Sequence, residues 1–200
     1  MNATASEIAL LIHSGWRLIA LESFEEDRAL RILERVADEA GLKLIPWSIA
    51  SGIGDGALGS GSLDQGLQAL EDIDGPALFV LLDCQPELAR HEVARRLRDQ
   101  LPRFAQKEQT VVLLGPCIEL PMELAREAGR VRLPLPTREE LRTLLSRILK
   151  KKSLPASEAH LEAVSAAASG LTLTEAIRVT HKALALSAGL SHETAAHVAR

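Results

Sequence analysis

Residues 18–41 read LIALESFEEDRALRILERVADEAG, an apolar run that passes straight into an amphipathic one. Leu30, Leu33, Val36 and Ala37 recur at helical spacing within residues 25–40, and Gly41 stands where a helix stops. The stretch is a strand, 17–22, turning directly into a helix, and this unit decides the fold class. A strand–helix turn that holds phosphate is built of glycines and a lysine, because backbone N–H groups must approach the anion. This turn reads Ser23-Phe24-Glu25-Glu26-Asp27-Arg28 and has neither. Glu25, Glu26 and Asp27 fall at the helix N-terminus, whose partial positive charge favours an anion. The chain's own carboxylates can take that place and repel phosphate. Helix capping by itself also explains acids there.

Outward from this unit, the pattern predicts strands at 43–49, 77–83, 110–115 and 131–135. Between them it predicts helices at 63–73, 86–106 and 121–128, with a short helix at 5–14 before the first strand. The runs ALFVLLD and TVVLLG are almost wholly apolar, as expected of strands buried on both faces of a parallel sheet. Strands alternating with helices define an α/β layer with helices on both faces. After Pro136 the strand pattern ends, and helices are expected at 138–151, 157–169, 174–188 and 192–199. The chain thus reads as a five-stranded α/β core, 1–136, and a small four-helix domain, 137–200.

Composition narrows the function classes. Apolar residues make up 46% of the 200, enough for a sizeable core, whereas aromatics make up 2% with no tyrosine. A protein that stacks single-stranded bases wants more rings. Two cysteines make no disulfide framework, no apolar run is long enough to span a bilayer, and the N-terminus lacks a basic leader region. A cytoplasmic, reducing setting is the expectation. Charge is uneven: residues 1–89 carry 5 basic and 15 acidic side chains, and residues 90–152 carry 15 and 8. Such polarity suits head-to-tail association, a basic patch for an anionic partner, or simply an unevenly charged solvated surface.

Two motif matches fail on context. Gly54-Asp55-Gly56-Ala57-Leu58-Gly59 fits a dinucleotide fingerprint, but it follows the second strand, not the first, and leads into a short helix. It is read as a flexible loop. HETAAH at 192–197 resembles a zinc-protease helix, yet histidines five residues apart lie about 140° apart around a helix and cannot share a metal. No metal or other cofactor is expected.

A group of arginines and a strand-end acid stand out. Arg90, Arg95, Arg96, Arg98 and Arg103 crowd the helix at 86–106 and offer an alternative use, nucleic-acid binding, against the plainer reading of a solvated helix. At the end of the third strand, Asp83 holds the place of the acid that organises Mg²⁺ in P-loop ATPases. The next position, where a second acid would polarise water, is Cys84. A polar strand end or helix cap accounts for Asp83 equally well.

The stretch VRLPLPTREELRTLLSRIL followed by SGLTLTEAIRVTHKAL resembles the start of the lid of an AAA-type ATPase. There a lid helix opens with Gly-x-Thr/Ser-x-x-Asp/Glu, matched here by Gly170, Thr172 and Glu175. SFEEDRAL, PWSIASGI, LFVLLD, LPLPTREEL and GLTLTEA together resemble the N-terminal region of AAA proteins encoded by cyanobacteria and algal plastids as a hypothetical chloroplast reading frame. That region is similar to an AAA module without a P-loop, followed by an intact one, and the likeness covers nearly the whole chain. The resemblance implies the sheet order 5-1-4-3-2, with Asp83 beside the end of the fourth strand. Active modules place a polar sensor there; Gly115-Pro116-Cys117 supplies none. It makes Arg126 and Arg130, just before the fifth strand, candidates to act on a neighbour's nucleotide, although the spacing around them departs from the active pattern. It implies a module that does not hydrolyse ATP, with an intact AAA module as partner in cis or trans. Weak residual ATP binding is a third use, after association and nucleic-acid binding.

Overall fold

The computed structural model describes residues 3–54, 56–154, 157–186 and 198. In chain order the elements are α1 (Ala3–His13), β1 (Leu18–Glu22), α2 (Glu26–Ala40), β2 (Lys43–Ser48), β3 (Gly52–Ile53) and α3 (Leu63–Glu71). They continue with β4 (Ala77–Leu82), α4 (Gln85–Leu88), α5 (His91–Gln106), β5 (Gln109–Gly115), β6 (Ala128–Arg132), α6 (Arg138–Lys151), α7 (Glu158–Ala167) and α8 (Leu173–Leu186). The chain divides into two compact units, Met1–Leu133 and Pro134–Arg200.

In the first unit the sheet order is β3-β2-β4-β5-β1-β6. The five long strands pair in parallel in the implied order, and β3 adds a short antiparallel edge to β2. Alternation along the central strands sorts their side chains to two faces. Leu18, Phe79, Leu81, Val111 and Leu113 pack with α3, α4 and α5. Ile19, Leu21, Leu78, Val80, Val112 and Leu114 pack with α1 and α2. Both faces are covered, which is why these strands are apolar without a break. At about 25 cal/mol per Å² of apolar surface removed from water, such layers supply the main stabilisation. Gly41 ends α2 in the left-handed conformation at φ 68°, and the Gly41 and Leu42 N–H groups donate to the Asp38 and Ala37 carbonyls.

Four sequence expectations need correction. The expected helix at 121–128 is instead a run of turns at 122–127, with the Leu124 and Ala125 N–H groups donating to the Pro121 carbonyl, before β6 begins at Ala128. The last strand lies at Ala128–Arg132 rather than 131–135, and within it Gly129 packs directly against the Leu11 side chain of α1. The helix at 86–106 is two, because Arg90 is extended at ψ 119°. The glycine-rich loop is tied down: Ile53 donates to the Leu58 carbonyl, Gly54 to Pro46, and Trp47 Nε1 to Gly59 at 2.8 Å.

The second unit packs Leu141, Leu145, Leu149, Val164, Ala176 and Ala183 into its own core. Thr137 and Glu140 form a capping box at the start of α6, and the Ser157 hydroxyl caps α7. Of the expected last helix at 192–199 only Val198 is among the described residues, where it is helical and buried; the HETAAH motif lies outside them. No helix among the described residues is long and apolar enough to cross a membrane.

Candidate functional site

At the carboxyl end of β1 the chain is gripped from both sides. The Ser23 N–H donates to the Gly115 carbonyl at 2.8 Å, and the Leu133 N–H donates to the Glu22 carbonyl at 3.0 Å. Glu22 Oε1 accepts from the Ile118 N–H, so the end of β1 and the loop after β5 are held together. The Ser23 hydroxyl accepts from the Glu25 N–H at 2.9 Å, which turns the chain into α2.

The three junction acids then diverge. Glu25 is 8% exposed, and its carboxylate accepts from Arg28 Nη1 at 2.7 Å. It stands at the N-cap of α2 yet makes no side-chain capping bond. Simple capping therefore does not explain it. Glu26 and Asp27 are exposed in the first turn. Burial, then the Asp83 carboxylate, then Asp27 raise the Glu26 pKa above its ordinary value. Glu26 and Asp83 therefore share one negative field at the N-terminus of α2. Arg28 escaped sequence reasoning, although a signal existed: it falls on the stripe with Ala29, Ile32, Leu33 and Val36 that α2 buries.

Asp83 lies beside the end of β5, its N–H donating to the Leu114 carbonyl at 2.9 Å. Its φ of +47° is a left-handed value that aspartate tolerates better than most residues. Cys84 is 3% exposed, and burial first, with Asp83 and Glu87 adding, pushes its thiol up to about 12. A thiol so held stays protonated near neutral pH and is a poor general base. Pro116 is exposed and brings no polar side chain to the end of β5. Among the described residues, no group of three or more His, Cys, Asp or Glu could hold a metal ion.

Gly170, Thr172 and Glu175 come together as a local device. Gly170 is left-handed at φ 94°, the Glu175 N–H donates to the Thr172 hydroxyl, and Glu175 Oε2 accepts from the Thr172 N–H at 2.8 Å. Hydrogen bonds from the Thr172 backbone and then its hydroxyl lower the Glu175 pKa. The motif is a capping box that starts α8.

Arg126 and Arg130 are both exposed but serve different places. Arg130 donates to the Ile118 carbonyl at 3.3 Å, whereas Arg126 lines a cleft near the N-terminal ends of the strands. The five arginines of the Arg-rich segment all meet carboxylates: Arg90 with Glu92, Arg95 with Asp99, Arg96 with Asp64, Arg98 with Glu127 and Arg103 with Glu71.

A parallel layer in this order, followed by a helical unit, has the architecture of the AAA-type ATPases. The chain belongs to the SpoVK-like AAA ATPase family, matching its N-terminal domain over residues 4–133 and its second domain over residues 139–200. Among curated relatives, the uncharacterized AAA domain-containing protein ycf46 of Trieres chinensis and that of Guillardia theta are each 25% identical over 186 residues. The match covers 90% of this chain and 37% of each relative, so the chain spans well under half of their length. Among solved structures, the RuvB Holliday junction branch migration motor of Thermotoga maritima aligns with a TM-score of 0.64 at 13% identity, covering 99% of this chain and 68% of that one. Domain III of the Thermotoga maritima replication initiation protein DnaA aligns at 0.60 and 13% identity, covering 99% and 92%. A chain of the E. coli MS115-1 HORMA:CdnC:Trip13 complex aligns at 0.62 and 16% identity, covering 98% and 77%. These structural likenesses establish the fold.

Proposed function

We propose that this chain is a non-hydrolysing AAA-like module, a core without a P-loop followed by a helical lid, that serves assembly, regulation or partner docking for an AAA ATPase. The observation that carries the reading is the β1–α2 turn. Where a phosphate would lie, Glu25 is buried against Arg28 and Glu26 shares its field with Asp83. An arriving phosphate meets carboxylates in place of a lysine and glycine N–H groups. With Cys84 buried and protonated, the neighbouring position offers no base for water. In this reading the module takes no nucleotide or metal and works in the cytoplasm. Its parent is a longer protein in which an intact AAA module, in cis or in trans, supplies hydrolysis. Arg126 and Arg130 are open to a neighbouring module in such an assembly.

The charge map supports a head-to-tail arrangement, since two different faces in contact can carry opposite charge. Ion pairing of all five arginines at 90–103 weighs against nucleic acid as the partner.

Calorimetry with Mg-ATP tests the reading. Affinity is expected to be weaker than about 1 mM, less than ~4 kcal/mol of binding. Micromolar binding at the β1–α2 turn overturns it. Sedimentation across a salt series, with and without an intact AAA module, tests association: weak self-association that falls with salt is expected, and a tight salt-insensitive two-fold dimer contradicts it.

A further inference from the structure

Gln109 opens β5 and alternates onto the same face as Val111 and Leu113, the face that packs with α5. Gln100, on α5, reaches across to α3. Gln109 is 0% and Gln100 2% exposed, and both border a cavity of about 370 Å³ together with Asp72, Arg103, Phe104 and Lys107. Their amide nitrogens are spent. Gln100 Nε2 donates to the Leu67 carbonyl and to Glu71 Oε1, and Gln109 Nε2 donates to the Ile73 and Gly75 carbonyls, each at 2.9 Å. Turning either amide over would set oxygen against oxygen, so both orientations are fixed. Two buried oxygens, Gln100 Oε1 and Gln109 Oε1, are left without a donor. An unmade hydrogen bond at a buried acceptor is costly, so the pair marks a place where donors are missing. The charges around the cavity are mostly paired. Arg103 meets Glu71 at 3.0 Å. Lys107 Nζ meets Asp74 at 2.8 Å and donates to the Glu71 and Ile73 carbonyls. Asp72, exposed at the end of α3, forms no ion pair among the described residues. One negative charge and two unfilled acceptors remain.

We propose that this cavity binds a small organic cation through its N–H donors, a guanidinium or primary ammonium group that donates to Gln100 Oε1 and Gln109 Oε1 and offsets Asp72. The ligand enters past Arg103 and Gln106, whose side chains are exposed. A guanidinium carries five N–H donors in one plane and serves acceptors on two sides at once. Phe104 gives the cavity an aromatic wall, which suits an organic cation. The volume falls in the range of small-ligand sites. The opposing case is a water that satisfies the two oxygens. Gln109 pairs with Ala77 at the amino ends of β5 and β4, so the site is separate from the β1–α2 turn and its failure leaves the proposed function untouched.

The test records nitrogen–proton correlation spectra of the isotope-labelled whole chain, in which the Gln100 and Gln109 side-chain amides report on the site. Methylguanidinium, methylammonium and tetramethylammonium chlorides are added in turn, each against sodium chloride at matched ionic strength. Saturable shifts of both amides are expected with the first two, at a dissociation constant of about 1 mM. Whichever of the two binds more tightly names the ligand group. Tetramethylammonium has the same charge but no N–H donor, and it leaves the amides unmoved. Asp72→Asn weakens binding about threefold, the worth of one exposed ion pair. Gln109→Met removes an acceptor at similar volume and weakens binding about tenfold. Should that variant unfold, Asp72→Asn and the tetramethylammonium series still decide. Glu123→Gln, in the turn before β6, leaves binding unchanged. Absence of a saturable shift means that water alone satisfies the two oxygens and overturns the proposal. Tetramethylammonium binding as tightly as methylguanidinium, or unchanged affinity in Asp72→Asn, overturns it too.

Discussion

The two ends of the sheet carry opposite chemistry. At the carboxyl ends of the strands, Glu25 is buried with Arg28 while Glu26 and Asp83 share one negative field. At the amino ends, Arg126 lines a cleft with Arg95 and Arg98, whose acids Asp99 and Glu127 are already paired. In an α/β layer, helices that follow parallel strands point their N-termini at the carboxyl edge, so that edge favours anions before any side chain is chosen. Here the chain supplies the anions itself. The contrast teaches that the fold sets where negative charge is tolerated, and the side chains decide whether it comes from the protein or from a ligand.

The strongest test of this contrast removes Arg28. Arg28→Ala removes the guanidinium that stands 2.7 Å from the Glu25 carboxylate, whose side chain is 6% exposed. Breaking a buried pair in this way costs about 3–5 kcal/mol. Urea unfolding followed by tryptophan emission is expected to show a loss in that range. A loss under about 1 kcal/mol would mean that the turn is held by other contacts.

A smaller effect comes from the two thiols. Cys117 is exposed and Cys84 buried, so a thiol reagent should modify Cys117 readily and Cys84 only on unfolding. Because the folded Cys84 thiol ionises near 12 against an ordinary 9.0, its contribution to stability is complete below 9.0 and is lost as pH rises from 9.0 to about 12. Cys84→Ala should flatten the alkaline limb of the stability profile; an unchanged limb would show that Cys84 is not shielded.

The smallest change sharpens the electrostatics. The raised Glu26 pKa means that its charged form is disfavoured in the fold, so stability from this group grows as pH falls through that pKa. Glu26→Gln removes the repulsion from Asp83 and Asp27 and should stabilise by a few tenths of a kcal/mol, since Glu26 is largely exposed and screened. Denaturation midpoints at pH 7 and pH 4 measure it. Stabilisation that persists undiminished at pH 4 would rule out a charge origin.

Much of the fold was legible because its signals are local. The apolar runs of β4 and β5, the stripe on α2 and the stop at Gly41 each lie within one element. The strand order came from family likeness, and the structure has it. The errors fell where local pattern and packing diverge. Residues 121–127 carry helix-forming Met, Glu, Leu and Ala, but they close a tight connection and remain turns. Leu133 and Leu135 drew the last strand too far along; as an edge strand, β6 needs less apolar character and begins at Ala128. β3 is two residues long, below the reach of any alternation pattern.

The sequence by itself determined that the β1–α2 turn has carboxylates and no lysine, that the central strands are buried on both faces, and that a helical segment follows. Only the tertiary structure decided which charges meet. Glu26 finds Asp83 because β1 and β4 flank β5, and Arg126 joins Arg95 and Arg98 because β6 lies beside β1 and α5 packs on the same face. Helix and strand periods relate residues a few positions apart. Charges brought together from the ends of different strands depend on strand order and layer packing, which no local period encodes.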